Sequence, residues 1–233
     1  MRNKIAVALA CLVLLAVASL TVMAGNKTQF TFSPDGRTVW ATNPSTHVTP
    51  SPMADASLNI IAGNLSRYPF ATYFSIWGNT IAQGGANFPF QTWVAVAFTP
   101  ANDATLSKIA VSAGRQSSGT GGFEVSLYND AGGVPGTAIK TVHVSKLPIY
   151  GDCCDLAVAN VAGTPVTGGT QYWVVVSTTP NDPDIYAWPF NSTDMRPKLS
   201  ASWCLGSPTY CGNNSGKWVP YNYVQLGFAV IAQ

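Results

Sequence analysis

Apolar and polar residues alternate along several short segments of the chain, which is the pattern of half-buried β-strands. Residues 123–127 have apolar side chains at odd positions and polar ones at even positions. Residues 140–145 repeat the alternation and predict that His143 lies on the solvent-facing side of a strand. Residues 172–176 are apolar throughout, as is typical of a strand covered on both faces.

Turn-forming residues separate these predicted strands. Clusters rich in glycine, proline, asparagine and aspartate lie at residues 130–136, 163–165, 168–169 and 179–183. Glycine and proline at this frequency would interrupt most helices, and no segment has a convincing amphipathic helical period. Many short strands separated by turn-forming segments predict an all-β domain, either a sandwich or a barrel.

The first 24 residues have the layout of a secretory signal peptide. Arg2 and Lys4 precede an uncharged apolar run, and small residues stand before Gly25. The alternative is a retained membrane anchor, but the run is slightly short for a span of about 20 residues. We therefore expect cleavage after Ala24 and no membrane contact afterwards.

Three regions follow from these patterns. Residues 1–24 are the signal peptide, and residues 25–56 contain a predicted hairpin followed by an arm rich in proline, serine and threonine. The hairpin turns at residues 33–36, where proline and glycine favour a turn. Residues 57–233 form the β-sandwich domain.

The charge balance excludes one class of partner. Removal of the signal peptide takes away two of the 12 basic residues and none of the 10 acidic ones, which leaves ten of each. Charged residues make up only 9% of the chain, against about a quarter in an average soluble domain. The remaining lysines and arginines are scattered, whereas binding to nucleic acid needs them clustered. We expect no nucleic-acid partner.

Four cysteines remain after cleavage: Cys153, Cys154, Cys204 and Cys211. An even number in an exported chain indicates disulfides. Cys204 and Cys211 bracket a turn-rich loop, which favours a local bridge and would leave Cys153 and Cys154 to pair as neighbours. The alternative is two long-range bridges from Cys153 and Cys154 to the other two cysteines.

Two segments carry a resemblance to a known type of domain. Residues 127–136 (LYNDAGGVPG) and 168–176 (GGTQYWVVV) resemble the choice-of-anchor R type of bacterial exported domain, together with residues 94–100 (VAVAFTP). The resemblance covers the chain from about Ser57 onward. It implies a jelly-roll-like antiparallel β-sandwich that is exported and has no known reaction. Such domains are often surface-linked, but residues 228–233 carry no anchor, so we expect free secretion.

No group of residues predicts catalysis. A serine protease-like triad needs a histidine held beside a nucleophile, and His143 is predicted to lie on a solvent-facing strand surface. Glycosidases need two carboxylates across a cleft, but Glu124 is the only glutamate and it is predicted to point outward. The paired aspartates lie in turns, where they typically bind backbone amides. We expect no enzymatic activity.

Aromatic residues near loops of the C-terminal third suggest a binding function. Trp188, Trp203, Trp218 and Tyr221 are the candidates for stacking on sugar rings, with an extracellular polysaccharide as the partner. The alternative is that they cap the core beneath long loops. A structural or adhesive cell-surface role is the alternative function.

We expect no cofactor, although a structural calcium ion is a candidate. The turns at Asn129–Asp130 and at residues 181–184 carry oxygen ligands of the kind that calcium prefers, but neither matches a defined calcium loop. A zinc site is poorly supported, because there is no Cys-x-x-Cys and the two histidines, His47 and His143, are far apart.

Overall fold

The fold is described by a computed structural model. It covers residues 29–32, 38–42, 58–65, 77–82, 90–115, 121–147, 156–179, 182, 184–189, 197–224 and 226–233. These residues form antiparallel sheets and one short helix. The prediction of an all-β sandwich is therefore confirmed.

The strands and the helix follow one another in a simple order. They are β1 (Gln29–Phe32), β2 (Thr38–Thr42), β3 (Ile60–Gly63), β4 (Trp77–Ala82), β5 (Phe90–Phe98), β6 (Ala104–Val111), β7 (Gly114–Arg115), β8 (Phe123–Asp130), β9 (Pro135–Val144), β10 (Ala157–Val166), β11 (Tyr172–Thr178), β12 (Ile185–Pro189), β13 (Pro197–Gly206), α1 (Pro208–Cys211), a 3-10 turn (Gly212–Asn214), β14 (Lys217–Val224) and β15 (Phe228–Ala232).

The larger sheet has 11 strands in two connected parts. One part has the order β14-β13-β5-β11-β8-β9, and the other has the order β1-β2-β4-β12-β7. The two parts join where Ala82 of β4 pairs with Thr92 of β5. The predicted N-terminal hairpin corresponds to β1 and β2, which pair with one another and add to the sheet through β4.

The smaller sheet has four strands in the order β10-β6-β15-β3. A continuous apolar core contains side chains from both sheets, and alternation along each strand selects them. On β5, the side chains of Val94, Val96 and Phe98 enter this core, while the residues between them point the other way. Phe228 and Val230 of β15 enter it from the smaller sheet.

The outer face of the larger sheet carries a second apolar cluster. Its buried members are Ala95, Ala97, Trp173, Val175 and Ala201. Every residue of β11 is buried, because alternate residues belong to the core and to this outer cluster. The prediction of a strand covered on both faces is therefore confirmed.

Some predictions fall outside the described residues. These are the signal peptide (1–24), the arm that follows the hairpin, and the pair Cys153 and Cys154. Within the described ranges, no helix has the length and apolar character needed to cross a membrane. His143 is exposed on β9, as its place in the alternation predicted.

Candidate ligand-binding site

Three tryptophans lie in one row across the larger sheet. The strand register places Trp203 of β13 directly opposite Trp93 of β5 on one side and Trp218 of β14 on the other. Directly paired residues of neighbouring strands lie on the same face of a sheet. The face is the outer one, because the core side of β5 is occupied by Val94 and its alternate neighbours. We call these three residues the tryptophan row.

The first two rings of the tryptophan row are stacked. The ring centroids of Trp93 and Trp203 lie 4.3 Å apart, and the ring planes differ by 19°. Both side chains are partly exposed. The indole Nε1 of Trp93 is buried and has no hydrogen-bond acceptor among the described residues. The stack therefore joins β5 to β13 on the outer face of the sheet.

Trp218 is held differently from the other two. It packs against the outer apolar cluster formed by Ala95, Ala97, Trp173, Val175 and Ala201. The three alanines of that cluster have small side chains, which leave room for the large ring of Trp218 above them. Trp218 is partly exposed, so part of its ring surface stays in contact with solvent.

Leu205 extends this apolar surface. It lies two residues after Trp203 on the same strand, so it occupies the same face. Its side chain is 48% exposed, the highest value for a large hydrophobic residue in the described part of the chain. The tryptophan row and Leu205 together are called the platform below.

On the outer face, the side chains that border the platform along β5, β13 and β14 are uncharged. Gln91 lies opposite Leu205 in the register, and on the other side of the row Ala201 pairs with Pro220 and Leu199 with Asn222. None of these side chains is charged. Asn222 is exposed and Gln91 is partly exposed, so amide groups border the platform.

A disulfide closes the loop that joins the platform strands β13 and β14. Cys204 and Cys211 are bonded to one another, which confirms the predicted local bridge. The ring of Tyr210 stacks on Phe90 at 5.1 Å, and the backbone N–H of Gly216 donates to the carbonyl of Cys204 at 2.7 Å. The loop between β13 and β14 is thus bound to the end of β5 and to its own base.

The four predicted aromatic site residues do not form one group. Trp203 and Trp218 meet in the tryptophan row, but Trp188 does not belong with them. Trp188 is fully buried in the core, and its Nε1 donates to the carbonyl of Gly227 at 2.9 Å. It has no ring surface available for a ligand, which corrects its assignment to a binding surface.

Tyr221 is also separated from the row. It pairs with Ser200, which in turn pairs with Val96 on the core-facing side of the sheet. Trp93, which was not among the candidates chosen from the sequence, takes part in the partly exposed row. Alternation along residues 90–98 carried this information, since Val94, Val96 and Phe98 already defined the buried face.

The turn at Asn129–Asp130, a calcium candidate, is occupied by hydrogen bonds. The carboxylate of Asp130 accepts from Trp173 Nε1 at 2.8 Å, from Gln171 Nε2 at 2.7 Å, and from the backbone N–H groups of Gly132 and Gly133 at 3.1 Å. Asn129 Oδ1 accepts from the N–H of Thr137. Burial acts to raise the pKa of Asp130, but these hydrogen bonds lower it below its ordinary value. Both carboxylate oxygens therefore bind protein donors, which leaves this turn unsuited to calcium.

The second calcium candidate is also a hydrogen-bonded turn. The phenolic O–H of Tyr186 donates to Asp182 Oδ2 at 2.5 Å, and the N–H of Asp184 donates to Asp182 Oδ1 at 2.9 Å. Asp184 Oδ2 accepts from the N–H of Gly121 at 2.9 Å. Residues 181 and 183 lie outside the described part of the chain. Within that part, no group of three or more histidine, cysteine, aspartate or glutamate residues could hold a metal ion.

Comparison of the chain with family models, with curated proteins and with solved structures found no match. The resemblance to the choice-of-anchor R domain therefore stays a prediction. The two segments that carry it meet at Asp130, whose carboxylate binds Gly132 and Gly133 of one segment and Gln171 and Trp173 of the other. Asp130 thus joins the β8–β9 turn to β11 in this chain.

Proposed function

We propose that this protein is a secreted, non-catalytic β-sandwich that binds neutral carbohydrate through the platform. The observation that carries the proposal is the tryptophan row with Leu205 beside it, on a sheet face whose neighbouring side chains are uncharged. Large apolar side chains that remain in contact with water lose the free energy of burial, so their grouping at one place suggests a binding surface.

Carbohydrate is the ligand class that suits this composition. Sugar rings present C–H groups that pack on aromatic rings, while their hydroxyls bind the amides of residues such as Gln91 and Asn222. A neutral surface gives no electrostatic attraction to nucleic acid or to an anionic membrane. A protein partner would also suit an apolar surface, but aromatic rings bordered by amides favour a hydroxyl-rich ligand.

Secretion is supported by two independent features. The bridge between Cys204 and Cys211 is of the kind that forms and persists in oxidising compartments. The first 24 residues have the pattern of a signal peptide. Both features agree with the exported character that the resemblance implies.

A non-catalytic role is supported by the positions of the acidic residues. The carboxylates of Asp130 and Asp182 accept hydrogen bonds from protein donors and hold turns in place. A carboxylate bound in this way is suited to a structural role, whereas a general acid or base must be able to reach a substrate. In the strand register the neighbours of Glu124 are Ser177 of β11 and His143 of β9, so no second carboxylate lies directly opposite it.

The proposal is tested by binding of the protein to a panel of polysaccharides. Depletion from solution by insoluble glycans and quenching of tryptophan fluorescence by soluble ones are the two measurements. We expect saturable binding that weakens by about tenfold or more in Trp203→Ala and Trp218→Ala, since buried aromatic contacts dominate binding energies.

Leu205→Ala and Ile139→Ala form a matched pair for the same experiment. The two side chains are similarly exposed, at 48% and 45%, but Ile139 lies on β9, far from the platform in the sheet order. Only Leu205→Ala should weaken binding. Equal effects, or no binding to any glycan, would contradict the proposal and favour the structural or adhesive role.

A further inference from the structure

We infer that the platform takes a single glycan chain, in solution or in an amorphous polysaccharide, and does not bind the flat face of a crystalline one. The inference rests on the proposed function and adds the physical form of its ligand. It follows from the orientation of the stacked rings, from the direction of the tryptophan row and from its position at the edge of the sheet.

The stacked rings cannot form a flat surface. Two indole rings that lay side by side in one plane would have centroids farther apart than a ring width, whereas those of Trp93 and Trp203 are 4.3 Å apart with nearly parallel planes. That distance is close to the spacing of neighbouring strands, which is about 4.8 Å. The rings therefore stand upright over their own strands, with one face of each covered by the other.

A crystalline polysaccharide needs the opposite arrangement. Its surface is a plane of many parallel chains, and it binds best to aromatic rings that lie flat in one common plane. Upright rings touch such a plane only with their edges, and little apolar area is removed from water. A single chain can approach the exposed part of a ring from the side, so the arrangement favours the single chain.

The row also has the dimensions of a narrow track. It crosses three strands, a distance of about 10 Å for two strand spacings. Among the described strands, β14 pairs with β13 alone, and it therefore forms an edge of the sheet. Pro220 on β14 is typical of an edge strand, since proline lacks the N–H that a further neighbour would bind. A chain that follows the row can run past Trp218 and leave the protein at this edge.

The members of the row have different roles in this arrangement. Trp203 and Trp218 are the contact residues, because they stand next to the edge and Trp218 lies above small side chains. Trp93 is a positioning residue, because its ring covers one face of Trp203 and holds that ring upright. Leu205 extends the contact on the side of the disulfide-bonded loop.

The test uses one polymer in two physical forms. Crystalline cellulose and phosphoric-acid-swollen cellulose have the same chemistry, as do crystalline and regenerated chitin, and cello- and chito-oligosaccharides give the single chains in solution. Soluble mannan, xylan and mixed-linkage glucan extend the panel. We expect retention on the amorphous form of at least one polymer, with about tenfold weaker retention on its crystalline form, or binding to a soluble glycan alone.

The outcomes separate this inference from the function on which it rests. Retention on a crystalline form that equals or exceeds that on the amorphous form would overturn the inference and leave carbohydrate binding in place. No binding to any form would overturn both. If Trp203→Ala and Trp218→Ala lose binding while Trp93→Phe, which keeps a stacking ring, retains most of it, the assigned roles are supported. Full binding by Trp203→Ala would overturn them.

Discussion

The indole Nε1 of Trp173 donates a hydrogen bond of 2.8 Å to Oδ1 of Asp130, on the neighbouring strand β8. The same carboxylate accepts from Gln171 and from the N–H groups of Gly132 and Gly133. One side chain thus joins the end of β8, the β8–β9 turn and β11. Trp173 is fully buried beneath the outer face, so the loss of this acceptor would leave a buried donor unpaired.

Replacement of Asp130 by alanine should lower the free energy of unfolding by about 2–4 kcal/mol, because several donors lose a charged acceptor together. Urea unfolding monitored by tryptophan fluorescence measures the loss. Asp103→Ala is the matched control. Asp103 is exposed and accepts one bond, from the N–H of Gly168 at 2.8 Å, so its loss should stay below about 1 kcal/mol. Equal losses would contradict the central role of Asp130.

Asp130 should also make the stability of the protein depend on pH, and its lowered pKa determines the direction of that dependence. Burial raises the pKa of Asp130, but the hydrogen bonds from Trp173, Gly133, Gln171 and Gly132 bring it below its ordinary value of 3.8. A folded pKa below the unfolded one contributes stability above the unfolded value, and this is lost as the pH falls through the folded pKa. Asp130→Asn should therefore lose less stability than the parent protein between about pH 5 and pH 2. If the free energies of unfolding of Asp130→Asn and of the parent protein fall in parallel over this pH range, Asp130 does not contribute to the pH dependence of stability.

Much of the fold could be predicted from local sequence patterns. Alternation identified β8, part of β9 and the exposure of His143, and an uninterrupted apolar run identified the burial of β11 on both faces. The short separation of Cys204 and Cys211 correctly favoured their bridge. These features depend on residues that are near one another in sequence, where period and turn chemistry determine the outcome.

The candidate site depended on contacts that local patterns do not contain. Trp93 and Trp203 stack because β5 and β13 are neighbours, and nothing within either strand identifies its partner. Trp188 and Trp203 both lie near loops in the sequence, yet Trp188 of β12 points into the core and Trp203 of β13 points outward. Strand order therefore decided which aromatic residues could bind a ligand.

The hydrogen bond between Tyr186 and Asp182 makes a second stability prediction. Tyr186 is 1% exposed, and its hydroxyl donates to a buried carboxylate. Tyr186→Phe should cost about 1–3 kcal/mol, because the carboxylate loses a donor without gaining water. In Tyr172→Phe, a matched change on β11, the hydroxyl lost is a neutral acceptor for the N–H of Thr167, so the cost should be smaller. Chemical denaturation of both variants measures the two losses in the free energy of unfolding. A loss in Tyr172→Phe that equals or exceeds that in Tyr186→Phe would contradict the prediction.

Alkaline titration extends this prediction. Burial, the hydrogen bond to Asp182 and the charges of Asp182 and Asp184 raise the pKa of Tyr186 well above its ordinary value of 10.0, against a smaller opposing effect of Arg115. A raised folded pKa contributes stability that is fully present below the unfolded value and is lost as the pH rises above it. Above pH 10 the parent protein should lose more stability than Tyr186→Phe. If the stabilities of the two proteins fall equally steeply with pH above pH 10, the raised pKa of Tyr186 does not contribute to the alkaline loss of stability.

The bridge between Cys204 and Cys211 should stabilise the fold through the loop it closes. Chain entropy gives about 2.5 kcal/mol for a closed loop of about eight residues. The double variant Cys204→Ala with Cys211→Ala should lose about that amount in urea unfolding. Peptide mapping without reduction should recover the two cysteines in one linked fragment. A fragment that links either one to Cys153 or Cys154 would overturn the local pairing.

Gly63 is required where β3 approaches β15. Its φ is +117°, and a Cβ atom there would lie 2.2 Å from the carbonyl oxygen of Phe228. Gly63→Ala should lose several kcal/mol, because both the backbone conformation and the contact are unfavourable. Gly163→Ala separates the two causes, since Gly163 also has a positive φ of +80° but no atom within 4 Å of such a Cβ. Its loss should be about 1–2 kcal/mol. Similar losses at both positions would remove the steric part of the argument.

Trp188 and Trp203 should show opposite effects on stability and binding. Trp188 is fully buried in the core and bonds to Gly227, so Trp188→Ala should cost about 3–5 kcal/mol. Trp203 is partly exposed and stacked on Trp93, so Trp203→Ala should cost only about 1–2 kcal/mol.

Glycan binding should follow the reverse order, when measured below the unfolding transition of each variant. Trp188→Phe, which keeps an aromatic ring in the core, should bind like the parent protein, because this residue has no surface exposed to a ligand. Trp203→Ala should stay folded by circular dichroism and lose about tenfold or more in affinity. If Trp203→Ala instead unfolds the protein and Trp188→Phe abolishes binding, the platform is a part of the core, and the binding surface must lie elsewhere on the sandwich.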